Sequence, residues 1–131
     1  IAGMGTPTIL SILHHDIEKL KDIHYLLIDA HNQLPELRKE VTRLGYKIID
    51  EEIVEEEQVF YELVLFERGE ESYLQEDYDF GPILRKEKDA IFKKKWQGKI
   101  QKNFELLKNP LLTENRKKEL MDEIHYWEKQ L

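Results

Sequence analysis

Cysteine is absent from the 131 residues, which excludes a disulfide framework and any Cys-ligated zinc site and fits a cytoplasmic location. No apolar run approaches the roughly 18 residues of a membrane-spanning helix, so no membrane is expected among the partners. The first residues show no basic stretch followed by an apolar run, and no secretory leader is expected. There is no phosphate loop of the GxxxxGK type, and no Ser/His/Asp or Cys/His set spaced for nucleophilic catalysis. His14 and His15 are adjacent along a helix instead of facing one another, so no metal site is expected. Internal repeats and low-complexity tracts are also missing.

What is present is a core and a divided charge. Apolar residues make up 40% of the chain, enough to exclude wholesale disorder. Residues 1–84 carry 7 Lys/Arg against 19 Asp/Glu, a balance of −12, whereas residues 85–131 carry 13 against 8, a balance of +5. Such asymmetry points to two surfaces with different partners. The change falls at the turn signal Phe80-Gly81-Pro82, which divides the chain into a body, 1–80, and a basic tail, 81–131.

Ile1-Ala2 reads as the end of a buried strand, followed by the turn Gly3-Met4-Gly5. Thr6 is placed to cap a helix beginning at Pro7, with Ile9, Leu10, Ile12 and Leu13 on one face. Asp16 caps a short helical turn. The continuous run Tyr25-Leu26-Leu27-Ile28 is the pattern of a strand covered on both sides. Pro35 starts a helix striped by Leu37, Val41 and Leu44 and closed by Gly45. Tyr46–Val54 and Val59–Phe66 then read as a β-hairpin joined by Glu55-Glu56-Glu57-Gln58. Residues 69–79 read as an acidic, exposed connector. The order helix, strand, helix, hairpin gives the fold class α/β, the second half of a sheet whose last strand runs antiparallel.

Beyond Pro82 the period becomes helical. Phe92, Trp96, Ile100, Asn103/Phe104 and Leu107 form one stripe; Leu120, Ile124, Trp127 and Leu131 form another after the Thr113 cap. Two stripes joined by a short loop describe an antiparallel helical hairpin with coiled-coil-like packing. Gly98 interrupts the first helix at a cost of about 1 kcal/mol. Trp96 and Trp127 fit the stripes as core residues.

The segments IAGMG at 1–5, ELRKEV at 36–41, GYKIIDEEIVEE at 45–56, FYELV at 60–64 and GPILRKEKDAIFKKKW at 81–96, in that order and spacing, resemble the bacterial tRNA (adenine-22-N1)-methyltransferases. The resemblance covers essentially the whole chain. It implies the C-terminal half of a Rossmann-like class I methyltransferase domain, followed by a coiled-coil tail. It also implies S-adenosylmethionine (S-adenosyl-L-methionine) as cofactor in the intact protein and tRNA as substrate. The family's cofactor-holding strand, Gly/Asp loop and helix have no counterpart here. Three βα units of roughly 30 residues each would put about 90 residues upstream of Ile1. Expected partners therefore include that N-terminal half, or a second copy of the chain, because half a sheet leaves an unpaired edge.

Candidate sites follow. Ala2-Gly3-Met4-Gly5 matches the family's AGMGG, with Thr6 in place of its last glycine, where related enzymes hold the target base; Ala2 and Gly3 are also the cofactor-side candidates. Glycines let a backbone approach a planar ligand, and strand ends beside helix N-termini are where open α/β sheets bind ligands. The alternative is a plain strand-to-helix turn. Asp29-Ala30-His31 stands where many members carry Gln-Pro-Asn. Asp29 offers an acceptor for an amine and His31 a proton acceptor, against an ordinary helix-capping segment. Tyr61 and Glu62 read as core. Lys86, Lys88, Lys93, Lys94, Lys95, Lys99, Lys102, Lys108, Arg116, Lys117 and Lys118 form an array that phosphates attract or a plain solvated helix face.

These readings lead to methylation of N1 of adenine 22 in tRNA by the intact protein, with this chain supplying the target-base side and the tRNA-docking tail. Alone, the chain is expected to be inactive. The alternatives are a non-catalytic RNA-binding module and a helical protein-interaction module.

Overall fold

The computed structural model describes residues 5–131. Ile1 to Met4, which include the candidates Ala2, Gly3 and Met4, lie outside the described residues. The elements run α1 (Thr6–His15), α2 (Ile17–Leu20), β1 (Tyr25–Ala30), α3 (Leu34–Arg43), β2 (Tyr46–Glu56), β3 (Val59–Arg68), α4 (Gln75–Phe80), α5 (Leu84–Glu87), α6 (Ala90–Leu107) and α7 (Glu114–Glu128). The chain divides into two compact units, one ending at Glu87 and one spanning Lys88–Leu131. Segment 81–87 thus belongs with the first unit, for a reason that lies in Glu51: the Ile83 and Leu84 amides donate to its Oε1 at 2.9 and 3.4 Å.

In the first unit the strand order is β1-β3-β2, and β3 is antiparallel to both neighbours. Antiparallel pairing reflects the hairpin: Glu57 and Gln58 both take positive φ, 50° and 67°, so a two-residue turn returns β3 directly along β2. The strands are consequently longer than their apolar runs, reaching Glu56 and Arg68. The core collects Ile9 and Leu13 of α1, Ile28 and Ala30 of β1, Leu37 and Val41 of α3, and Val64 and Phe66 of β3. Full burial of each larger side chain among these contributes roughly 1.5–3 kcal/mol.

That core covers one face of the sheet. On the opposite face Tyr25 and Leu27 are each 55% exposed, so among the described residues β1 is covered on one side. The 69–79 connector is likewise not simply exposed. Tyr73 is half-buried, its hydroxyl accepting the Ile48 amide at 2.7 Å and donating to Glu71 at 3.1 Å, and helix α4 occupies the second half of the segment. Gly45, at φ 98°, closes α3 as the sequence requires.

In the second unit α6 and α7 lie antiparallel. Trp96 faces Trp127 with ring centroids 5.7 Å apart, and Asn103 Nδ2 donates to the Leu120 carbonyl at 3.4 Å. Asn103 takes the inward place and Phe104 is exposed. Asp89 and Thr113 cap the two helices, accepting from the amides of Phe92 and Arg116.

Candidate functional site

The exit of β1 is built by a short chain of contacts. The Thr6 amide donates to Asn32 Oδ1 at 3.0 Å, and the Thr6 hydroxyl donates to the Asn32 carbonyl at 2.5 Å. Thr6 is therefore the first helical residue and a tie to β1's exit, not the cap of α1; Gly5 occupies the cap position. A Cβ at Gly5 would stand 3.4 Å from both polar atoms of the Asn32 side chain. The start of α1 and the end of β1 are thus fastened side by side, with Gly5 on one flank and His31 on the other.

His31 is exposed, and its ring lies against Tyr61 with centroids 5.5 Å apart and planes at 59°. The register continues from the pair Ala30–Glu62, which places His31 opposite Tyr61. Asp29 is half-buried on the same face as Tyr61, and its Oδ1 is closed off from water with no hydrogen-bond partner among the described residues. Gly5, Asp29 and His31 therefore come together at one end of the sheet. Tyr61 and Glu62 separate: strand alternation sends Glu62 into the interior at 2% exposure and leaves Tyr61 half-buried on the open face.

Glu62 leads to a group that the sequence does not reveal. Arg38 of α3 is fully buried, donating from Nε to Glu51 Oε2 at 2.9 Å, from Nη2 to Glu62 Oε1 at 2.5 Å and from Nη1 to the Tyr78 carbonyl at 3.0 Å. Burial opposes the guanidinium's charge, but Glu62 and Glu51 together hold its pKa above the ordinary value. One cation serves two carboxylates, and the imbalance falls on Glu51: burial pushes its carboxyl up despite the pull of Arg38. The triad joins α3, both hairpin strands and the 78–84 segment, so it fixes the height at which β3 presents Tyr61. The helical stripe Leu34, Leu37, Val41 puts Arg38 inward, and that spacing was the available signal.

The basic residues sort into three groups. Lys86 on α5 and Lys93, Lys94, Lys102 and Lys118 on α6 and α7 are exposed, and Lys88 is half-buried. Lys95 is only 8% exposed, with Nζ 5.2 Å from the Trp96 ring centre; Lys99 Nζ lies 5.0 Å from Trp96 and 6.0 Å from Trp127. Arg116, Lys117 and Lys108 pair with Glu119, Glu114 and Glu105 at 3.0, 3.3 and 3.1 Å. Trp96 is buried and Trp127 half-buried. Among the described residues no cluster of three or more His, Asp or Glu is arranged to hold a metal ion.

A family model, TrmK, tRNA (adenine(22)-N(1))-methyltransferase, matches residues 1–129. The tRNA (adenine(22)-N(1))-methyltransferase of Bacillus subtilis (strain 168) is 30% identical over 131 residues, covering 93% of this chain and 55% of that protein. The crystal structure of Streptococcus pneumoniae Sp1610 superposes with a TM-score of 0.92 at 32% identity, covering 100% of this chain and 60% of that one. The same protein in complex with S-adenosyl-L-methionine gives 0.88 at 32%, with 100% and 58% covered. The chain thus spans little more than half the length of the relatives it matches. The α/β fold, with its hairpin-ended sheet, is the C-terminal part of their Rossmann-like fold. Matched over nearly its whole length, the chain belongs to the tRNA (adenine(22)-N(1))-methyltransferase family.

Proposed function

We propose that this chain is the target-base side and the tRNA-docking tail of an enzyme that methylates N1 of adenine 22 in tRNA with S-adenosylmethionine. The observation that carries the reading is the meeting of Gly5, Asp29 and His31 at the carboxyl end of β1, in a chain matched by the family over residues 1–129. The residues fit a purine: a glycine turn that a flat ring approaches closely, a hidden carboxylate oxygen with no hydrogen-bond partner among the described residues, and an exposed imidazole. The hidden acceptor, Asp29 Oδ1, suits the exocyclic amine of adenine, since an unpaired buried acceptor gains most from a donor.

S-adenosylmethionine, when bound, supplies an electrophilic methyl group. The chain's own residues do the rest. Gly3, Met4 and Gly5 set the plane of the base, with Ala2 and Gly3 on the cofactor side. Asp29 holds the amine, which fixes the direction of N1. N1 carries no hydrogen, so its lone pair reacts directly, and alignment accounts for most of the acceleration. His31 receives the proton that the methylated, positively charged adenine later releases. The base must leave its stack to reach this site. The exposed lysines Lys86, Lys93, Lys94, Lys102 and Lys118, with the half-buried Lys88 and with Lys95, Lys99, Arg116 and Lys117 beside them, bind the tRNA backbone by charge and shape.

In this reading the donor site belongs to the family's N-terminal half, and the open face carrying Tyr25 and Leu27 packs against it. The enzyme works in the cytoplasm beside its substrate; among the described residues no helix is long and apolar enough to cross a membrane. The test is incubation of the natural polypeptide with S-adenosylmethionine and tRNA, followed by nucleoside analysis. The reading expects 1-methyladenosine, lost on Asp29→Ala. Binding of tRNA without any methylated product would leave an RNA-binding module and overturn the enzyme.

A further inference from the structure

Three tyrosines of the first unit show two kinds of environment. Tyr46 is buried and donates its hydroxyl to the Ile23 carbonyl at 2.8 Å, with the Leu20 carbonyl also within 3.1 Å. Tyr73 uses its hydroxyl twice, as acceptor from Ile48 and donor to Glu71. Those are tyrosines held by structure, with the polar tip satisfied. Tyr61 is different. It is half-buried, its hydroxyl makes no hydrogen bond among the described residues, and its one ring contact is the exposed His31. Its ring meets His31 at the end of the sheet, and its hydroxyl anchors nothing among the described residues.

Its position supplies the alternative. Tyr61 shares a face with Asp29, whose partner on β3 is Leu63, two residues along. It therefore stands at the same end of the sheet as the unpartnered Asp29 Oδ1 and, through His31 and Asn32, beside Gly5. The glycine turn itself contains no aromatic residue. A base pulled from an RNA helix loses its stacking on both neighbours, and enzymes that act on such a base replace this with aromatic or apolar side chains. We propose that Tyr61, steadied by His31, is the platform on which the extruded adenine stacks while Asp29 takes its amine. This deepens the methyltransferase reading and rests on it. The Arg38 triad has a part here, because Glu62, the next residue, pins β3 from the other face.

The test uses the natural full-length polypeptide with tRNA and S-adenosylmethionine. Tyr61→Leu removes the π face but keeps apolar bulk, and kcat/KM is expected to fall roughly tenfold to a hundredfold, the range carried by base–aromatic stacking. The Kd for tRNA, set mainly by backbone contacts, is expected to stay within about threefold. Tyr61→Phe restores the ring and is expected to recover kcat/KM to within about fivefold of the starting enzyme. Should Tyr61→Leu fold poorly, the Phe variant still decides, since a ring without a hydroxyl must work. Tyr61→Leu with undiminished kcat/KM, or Tyr61→Phe as damaged as Leu, overturns the platform while leaving the methyltransferase reading intact. A starting enzyme that methylates no tRNA overturns that reading, and the platform with it.

Discussion

Arg38 Nη2 and Glu62 Oε1 stand 2.5 Å apart, with the guanidinium fully closed off from water and the carboxylate nearly so. A buried ion pair is weak evidence of net stabilisation, yet removing one partner strands the other in a medium that cannot solvate it. Arg38→Met strands two carboxylates, Glu51 and Glu62. We expect a loss of about 3–5 kcal/mol, read as a lowered urea midpoint of the natural polypeptide. A loss below about 1 kcal/mol would mean that water reaches the triad.

The same group predicts a pH dependence. Burial raises the Glu51 carboxyl above its ordinary value of 4.5, so the folded chain holds that proton more tightly than the unfolded chain. This contribution to stability is fully present below about pH 4.5 and is lost as pH rises through the raised folded value. Glu51→Gln does not titrate. Its stability deficit relative to the parent is therefore expected to narrow between pH 4.5 and pH 7, measured by urea unfolding across that range. A deficit that widens with pH would give Glu51 the opposite sign.

Gly81 is confined by the triad. Its φ is 90°, and a Cβ there would lie 2.7 Å from both Glu51 oxygens and 2.8 Å from Arg38 Nη2. Gly81→Ala combines backbone strain with a clash against groups that have no room to retreat. A destabilisation of about 2–3 kcal/mol is expected, seen in thermal or urea unfolding. An unchanged midpoint would show that the 78–84 segment is not held against Glu51.

Much of this arrangement is legible in the sequence, and the exceptions have physical causes. Helix, strand, helix and hairpin occur in the expected order because their periods and punctuation agree. The hairpin turn is two residues shorter than the polar run Glu55–Gln58 suggests, because Glu57 and Gln58 adopt positive φ without glycine or asparagine, the usual marker. The run Tyr25–Ile28 suggests two covered faces, yet α1 and α3 pack on one only. Gly5, Asp29 and His31 are singled out by their places at a strand end and a helix start, and the fold puts those places side by side. Arg38 was hidden, because its partners lie 13 and 24 residues away and charged residues default to solvent. A core place for both Tyr61 and Glu62 fails on strand geometry, since adjacent strand residues face opposite sides and only Glu62 is buried.

The lysines give a prediction that separates docking from solvation. Lys93, Lys102 and Lys118 are exposed, whereas Arg116 and Lys117 sit beside Glu119 and Glu114. Changing the three lysines to Gln is expected to weaken tRNA binding at low salt and to reduce the slope of log K against log salt by about one per lysine. Changing Arg116 and Lys117 is expected to do less per charge. Equal slopes for parent and triple variant in filter-binding titrations would confine these lysines to solubility.

The enzyme proposed to contain this chain acts on one atom of one base. Its most direct measurement is methyl incorporation by the natural polypeptide from labelled S-adenosylmethionine into two tRNA transcripts, one with adenine at position 22 and one with guanine there. Label is expected in the first, recovered as 1-methyladenosine at that position, and background in the second. Equal incorporation into both, or none into either, would contradict it.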